Sequence, residues 1–240
     1  MTHSIRVCLA TQNQHKVVEL RQLLRQHAPA LATRIELVSL ADLGISDEVV
    51  EDGADFSDNA LKKAQAAHAL TGLWALADDS GLVVRALGGA PGVHSARYGG
   101  QPAPGQSVDA RNREAVLAAL RDIPASERQA RFVCVLCLYG EPAAGAGAAG
   151  AGARPQTVLR RGVCNGTLLT GERGEGGFGY DSLFVPTAEE LAHAHLDPSL
   201  AGRTYAELTA EQKNSLSHRT RALIALLPTL EALAAGQPLE

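Results

Sequence analysis

An apolar run, Ile5 to Ala10, breaks directly into Thr-Gln-Asn-Gln-His-Lys, and Val17, Leu20, Leu23 and Leu24 then recur at helical spacing. A continuous apolar run that gives way to a 3.6-residue period across one short loop predicts strand, loop, helix. The same alternation continues down the chain. Ile35 to Leu40 reads as a strand, and an acidic loop through Glu48, Glu51 and Asp52 leads into a helix from about Asp55 to Leu70. Trp74 to Ala77 and Leu82 to Leu87 read as strands on either side of Asp78-Asp79-Ser80-Gly81, a good turn sequence. After a Gly/Pro-rich loop from Gly88 to Gly105, a helix is expected over Val108 to Leu120. Strands follow at Arg131 to Tyr139 and Thr157 to Leu169, with a strand-like Leu183-Phe184-Val185. Thr209-Ala-Glu-Gln212 fits a capping box that opens a helix through Leu216, Leu223, Ile224 and Leu227. Strands and helices interleave throughout without an internal repeat, so the fold class is α/β.

Composition narrows the function. With 240 residues and 45% apolar content the chain can bury a large core. Its net charge is −4 and no stretch concentrates lysine and arginine, so no groove for a nucleic acid polymer is indicated. No apolar run reaches the roughly 18 residues of a membrane span, and the amino terminus opens straight into a strand, so a cytoplasmic, unanchored protein is expected. Cys134 and Cys137 lie in one apolar run, three apart and so on opposite faces of a strand, while Cys8 and Cys164 sit singly in other runs. Four reduced, mostly buried thiols are expected. The Ala/Gly-rich stretch over residues 141–155 has almost no side chain to pack and reads as a flexible hairpin loop.

Several segments can carry chemistry. The loop Thr11 to Lys16 lies between strand and helix, where backbone N–H groups and the helix dipole favour an anion, yet the same residues suit an ordinary helix cap. Carboxylates at Glu51, Asp78 and Asp79 can hold magnesium, which takes one or two of them and completes its shell with water and phosphate oxygens. The segment Gly174-Glu-Gly-Gly-Phe-Gly179 satisfies G-x-G-x-x-G, but it precedes a strand instead of opening a helix after one, which argues against a dinucleotide site. A glycine-rich loop with one phenylalanine would instead let a flat base approach, the ring serving as a stacking surface. Lys213, Ser217, His218 and Arg219 fall within two helical turns, and Lys213 shares a face with Ser217; solvated helix surface would look the same. His193 and His195 find no third ligand and read as loop histidines.

Taken together, Leu-Ala-Thr-Gln-Asn-Gln-His-Lys, Asp-Asn-Ala-Leu-Lys-Lys-Ala, Ala-Asp-Asp-Ser-Gly-Leu-Val-Val, Leu-Gly-Gly-Ala-Pro-Gly-Val-His-Ser-Ala-Arg-Tyr, Gly-Glu-Gly-Gly-Phe-Gly-Tyr-Asp and Glu-Leu-Thr-Ala-Glu-Gln-Lys-Asn-Ser-Leu-Ser-His-Arg resemble the Ham1-type inosine/xanthosine triphosphate pyrophosphatases. They occur in family order from about Arg6 to Leu227. The resemblance implies one domain over residues 1–240, an elongated mixed sheet with flanking helices, two lobes around a substrate cleft, and a homodimer. It implies hydrolysis of non-canonical purine nucleoside triphosphates to the monophosphate and pyrophosphate, with water attacking the α-phosphorus and Mg2+ as cofactor. By the same likeness Thr11, Gln12, Asn13, Gln14, His15, Lys16 and Lys63 hold the triphosphate. Glu51 and Asp79 hold the metal, Asp79 is also the catalytic proton acceptor, and Ser80 touches the substrate. Phe178, Gly179, Tyr180, Asp181, Lys213, His218 and Arg219 form the base pocket, with Arg97 a further candidate. Hypoxanthine and xanthine offer a C6 carbonyl and N1–H where adenine offers the reverse, and a mismatched buried polar group can cost on the order of 10⁴ in specificity.

Four features depart from the family pattern: the Ala/Gly-rich stretch, the stretch His193 to Arg203, Ser182 where proline is usual, and an extra acid in Glu51-Asp52-Gly53 that leaves the metal ligand open. A pyrophosphatase of other base choice and a non-catalytic nucleotide-binding protein are the alternatives.

Overall fold

The computed structural model describes residues 4–46, 51–141 and 154–239. Glu48, and residues 142–153 of the expected Ala/Gly-rich loop, lie outside them. Strand β1 (Ile5–Leu9) runs into helix α1 (Gln14–His27), which buries Val17, Leu20, Leu23 and Leu24 as their spacing predicts. A one-turn helix α2 (Pro29–Ala32) returns the chain to β2 (Ile35–Ser39), parallel to β1 with Ile5 opposite Ile35 and Leu9 opposite Ser39. Helix α3 (Phe56–Thr71) is capped by Asp55, whose side chain accepts from the N–H groups of Ser57 and Asp58. It stops at Gly72, where φ is 67°, a left-handed conformation that glycine adopts without strain.

Strand β3 (Trp74–Val84) overturns one expectation. Asp78-Asp79-Ser80-Gly81 is no turn but the middle of a single strand. Most of β3 is buried on both sides, so it lacks the polar/apolar alternation of a half-exposed strand, and its two buried aspartates are paired by lysines from elsewhere in the chain.

Helix α4 (Val108–Ala119) and the long strands β4 (Gln129–Gly140) and β5 (Gln156–Leu168) follow. Next come β6 (Phe184–Pro186) and the short helix α5 (Ala188–His193). His193 therefore ends a helix instead of lying in a loop, and His195 follows it with φ of 53°. The six strands hydrogen-bond in the order β2-β1-β3-β4-β5-β6, with β3 parallel to β1 and β6 antiparallel to β5.

The helix expected at the carboxyl end is two. Helix α6 (Ala210–Leu216) opens on the expected capping box of Thr209 and Gln212. Ser217 then takes an extended conformation, with ψ of 155°, and its hydroxyl accepts from the N–H of Thr220. Helix α7 (His218–Ala234) starts there, so His218 and Arg219 occupy a helix's first turn instead of mid-helix.

Two compact units result. The first takes the described residues up to Asp79, those from Val135 to Arg161, and those from Ala222 onward. Its alanine-rich core packs Ala60, Ala64 and Ala67 of α3 against Cys8, Ala75, Ala77 and Cys137 of the sheet. The second takes Ser80–Cys134 and Gly162–Arg221. Its core is larger-grained: Phe132, Tyr180, Leu183, Phe184, Leu191 and Tyr205 pack with Val116 of α4 and with Leu120, which caps its end. The four cysteines are buried and free, as expected. No described helix is long and apolar enough to cross a membrane.

Candidate active site

In the first unit, two lysines grip the end of β3's acidic pair. Strand alternation sends Asp78 and Asp79 to opposite faces, and Asp79 shares its face with Ala75 and Ala77, which pack on α3. Lys63 of α3 is 7% exposed. Its ammonium donates to Asp79 Oδ1 at 2.6 Å, to Glu51 Oε1 at 3.0 Å and to the carbonyl of Asp78 at 2.9 Å, which uses all three of its protons. Lys16 of α1 pairs with Asp78 Oδ1 at 2.6 Å and reaches the same carbonyl at 3.3 Å. Asn59 is fully buried and ties the cluster to its loop: Nδ2 lies 3.5 Å from Asp79 Oδ2, and Oδ1 accepts from the N–H of Gly53 at 2.7 Å. A Cβ on Gly53 would stand 2.6 Å from that Oδ1, so glycine is required there.

Electrostatics in this cluster are opposed. Burial raises the Asp79 carboxyl above the ordinary aspartate value, while Lys63 and Lys16 pull it down without cancelling the rise. For Lys63 burial works downward, but Asp79, Glu51 and Asp78 outweigh it and hold the ammonium charged.

Two lysines face three carboxylates, a formal balance of −1 that repels a polyphosphate. One divalent cation would reverse the sign. Magnesium needs only one or two protein carboxylates, and Glu51 and Asp79 already bracket a cation, the Lys63 ammonium, so the residues fit such an ion. Asp52, the extra acid, turns instead to Lys62 at 2.6 Å with its side chain 68% exposed, which leaves Glu51 as the acid directed into the cluster. Among the described residues no group of three or more His, Cys, Asp and Glu assembles into an all-protein metal cage.

The loop at the head of α1 is solvent-facing at Gln12, Asn13, Gln14 and His15. Asn13 is the helix cap, accepting from the N–H of His15 at 2.9 Å and of Lys16 at 3.3 Å, and Thr11 Oγ1 accepts from the N–H of Asn13. Gln12 donates to the carbonyl of Ile45.

The second unit holds a different cluster. Phe178 lies under the Lys213 ammonium, 4.8 Å from the ring centroid, with the Arg219 guanidinium at 6.0 Å. Asp181 Oδ2 accepts from Lys213 at 2.8 Å and from the N–H of Phe178 at 3.0 Å. Arg219, 1% exposed, donates to Ser80 Oγ at 3.3 Å. The His218 ring stacks on Phe132 at 4.8 Å, so its side chain is core, while its backbone opens α7. Tyr180 turns its ring into the core and donates its hydroxyl to the carbonyl of Ser95 at 2.8 Å. Arg97 is exposed at the end of a 3-10 turn.

The Ham1 family model matches residues 7–229. The chain belongs to the Ham1 family. It is 42% identical to a dITP/XTP pyrophosphatase of Mycobacterium leprae, covering 95% of this chain and 96% of that one. It is 45% identical to one of Syntrophobacter fumaroxidans, covering 94% and 82%. The solved Ham1 protein of Staphylococcus aureus superimposes with a TM-score of 0.71 at 32% identity, over 95% of this chain and 99% of that one. A nucleoside-triphosphatase / dITP/XTP pyrophosphatase of Mycobacterium abscessus gives 0.63 at 39% identity, over 93% and 100%.

In this Ham1 chain, then, the sequence-predicted residues fall into two sets: Lys16, Glu51, Lys63 and Asp79 in one, and Ser80, Phe178, Asp181, Lys213 and Arg219 in the other. Sequence reasoning missed Asp78 as the partner of Lys16, and Asn59 as the tie between Gly53 and Asp79. Asn59 stood inside the Asp-Asn-Ala-Leu-Lys-Lys-Ala segment, where a buried amide on an alanine-rich helix face was the available signal.

Proposed function

We propose that this protein hydrolyses non-canonical purine nucleoside triphosphates, inosine and xanthosine nucleotides, to the monophosphate and pyrophosphate. The observation that carries the reading is the Lys63 ammonium held between Glu51 and Asp79, a preformed cation position beside a carboxyl whose pKa burial has raised. The dITP/XTP pyrophosphatase relatives supply the substrate class.

Glu51 and Asp79 would hold magnesium, which when bound neutralises phosphate charge and favours the ionised form of a nearby water. Asp79 then accepts a proton from the water that attacks the α-phosphorus. Lys16 and Lys63 exchange carboxylate partners for phosphate oxygens, so the cations that hold the resting cluster together stabilise the charge developing on pyrophosphate. Phe178 offers its ring to the base. The Arg219 guanidinium and the backbone at His218 donate to the C6 carbonyl of hypoxanthine or xanthine, and adenine would set donor against donor. Asp181 first organises Phe178 and Lys213; a carboxylate has lone pairs for more than two donors, so it also serves N1–H. A homodimer and a cytoplasmic location belong to the same proposal, and light scattering of the purified chain tests the first.

The deciding experiment is pyrophosphate release from ITP, dITP and XTP, with ATP and GTP in parallel, with and without magnesium, for wild type and Asp79→Asn. Selective, magnesium-dependent cleavage that falls by at least about 10²-fold in the variant is expected. Comparable ATP or GTP turnover would sink the base assignment, and no turnover of any triphosphate would sink the enzyme reading.

A further inference from the structure

One residue of the glycine-rich loop, Gly179, is held through both of its backbone groups by α4. The N–H of Gly179 donates to Asp109 Oδ2 at 2.8 Å, and its carbonyl accepts from Arg113 Nη1 at 2.9 Å. Asp109 and Arg113 are four residues apart on α4, hence on one face. Gly179 itself has φ of 61°, so the loop turns there and the clamp fixes the turn that follows Phe178. On the other side Asp181 accepts from the N–H of Phe178. A Cβ on Gly177 would come 2.1 Å from the Asp181 carboxylate, so the chain closes tightly around that contact.

Arg113 is itself anchored. Its Nε pairs with Glu172 at 2.9 Å, and Glu172 accepts from the Ser182 hydroxyl at 3.1 Å. The Ser182 hydroxyl thus adds a further link to the anchor. Regular structure does little to hold this loop, because glycines occupy residues 174, 176, 177 and 179. Without the clamp the Phe178 ring would sample many positions, and a misplacement of about 1 Å at a binding group can cost about 10²-fold.

We propose that Asp109 and Arg113, backed by Glu172 and Ser182, are positioning residues that set the Phe178 ring and so the strength of base recognition. The proposal rests on the base-pocket reading given above. Loosening the clamp weakens binding of the base and leaves the chemistry at the phosphates alone.

The test uses Arg113→Met, Asp109→Ala, Arg113→Lys and Ser182→Ala, with three readouts: KM and kcat for dITP, calorimetric Kd for inosine and adenosine monophosphates without metal, and Tm. Arg113→Met and Asp109→Ala are expected to raise KM and the inosine monophosphate Kd about tenfold while kcat stays within about threefold. Arg113→Lys should recover part of the loss, since one ammonium reaches the Gly179 carbonyl or Glu172 but does not reproduce the fork. Ser182→Ala should give the smallest rise. Wild type that binds both monophosphates alike would overturn the base-pocket reading itself. A selective wild type with unchanged KM and Kd in the variants, whether or not Tm falls, would overturn the clamp alone. Should Arg113→Met fail to fold, the Arg113→Lys and Ser182→Ala values decide by the same criteria.

Discussion

The two clusters solve the same problem, holding charge in a buried place, in opposite ways. Glu51, Lys16, Lys63, Asp78 and Asp79 sit on or beside regular elements: α1, α3 and β3 fix the lysines and aspartates, and alternation along β3 sends the two aspartates to different lysines. Phe178, Asp181, Lys213 and Arg219 surround a glycine-rich loop that is shaped by side chains from α4, α6 and α7. Each cluster contains a buried ion pair, Lys63–Asp79 in the first and Lys213–Asp181 in the second, and removing one partner of either costs roughly 3–5 kcal/mol; only in the first cluster do both partners stand on regular elements. The second is rigid only as far as its hydrogen bonds hold, so its failures are graded. On the proposed reading, chemistry that every substrate shares would be placed on the sheet, and recognition that separates substrates on the adjustable loop.

The largest break in that comparison should come from Lys63→Met. Asp79 and Glu51 lose the ammonium between them, and turnover should fall by about 10²-fold or more, as when a single preorganised charge donor is removed. The pH profile gives the second readout. Burial holds the Asp79 carboxyl above its ordinary value of 3.8, against the lowering pull of Lys63. On the proposed mechanism its ionised form is the active one, so activity should be lost as pH falls through that raised value. Deleting Lys63 removes a lowering influence and should move the acid limb of kcat/KM upward, whereas saturating magnesium should move it downward in wild type. An acid limb that stays put in the variant would remove Asp79 as the titrating base.

Lys213→Met should have a smaller and more selective effect. Asp181 loses its ion pair and Phe178 its overlying cation, while the phosphate-side residues are untouched. The ratio of kcat/KM for dITP over dGTP should contract by about tenfold, the scale of one or two lost polar contacts. An equal fall for both nucleotides would mean that Lys213 meets phosphate instead of base, which would erase the division of labour between the clusters.

How much of this was legible in the sequence follows the same division. The strand–loop–helix at Ile5 to His27 and the capping box at Thr209 were readable because their signals are local: an apolar period, a cap residue, a turn. The Asp78–Gly81 segment was misread as a turn because its local chemistry is that of a turn. What makes it a strand is Lys16 and Lys63, which neutralise its aspartates from 62 and 16 residues away. The break at Ser217 was missed although Ser217 is a good helix cap, since the apolar period of Leu216, Leu223 and Leu227 runs on across it. Lys63 carried no local mark of burial, and the family resemblance alone singled it out; Lys213 and Arg219 stood out as a cluster within two helical turns, a pattern that solvated helix surface shares. Asp109 and Arg113 drew no reading beyond a helix, because nothing near them in sequence announces that they hold the backbone of a glycine 70 and 66 residues away.

The smallest predicted effect tests whether the loop's graded hold reaches the core behind it. Cys137 belongs to the alanine-rich core of the first unit and Cys164 to the aromatic core of the second. Burial pushes both thiols up to about 12 from 9.0. A thiol raised on folding supports the fold fully below the unfolded value and loses that support as pH climbs from 9 toward 12, by at most about 1.4 kcal/mol per pH unit for one group. Cys137→Ala and Cys164→Ala should therefore each flatten the alkaline loss of stability, measured by denaturant unfolding, to a similar degree. Labelling by iodoacetamide at neutral pH should separate them. Tyr180 and Leu183, which flank the glycine-rich loop, help close the core around Cys164, whereas Cys137 lies under α3 and the central strands. Local opening draws on the least stable elements first, so Cys164 should react before Cys137, and Arg113→Met should quicken Cys164 alone. Equal rates for both thiols, unchanged by Arg113→Met, would mean that the two units open together and that the loop's adjustability stops at its own hydrogen bonds.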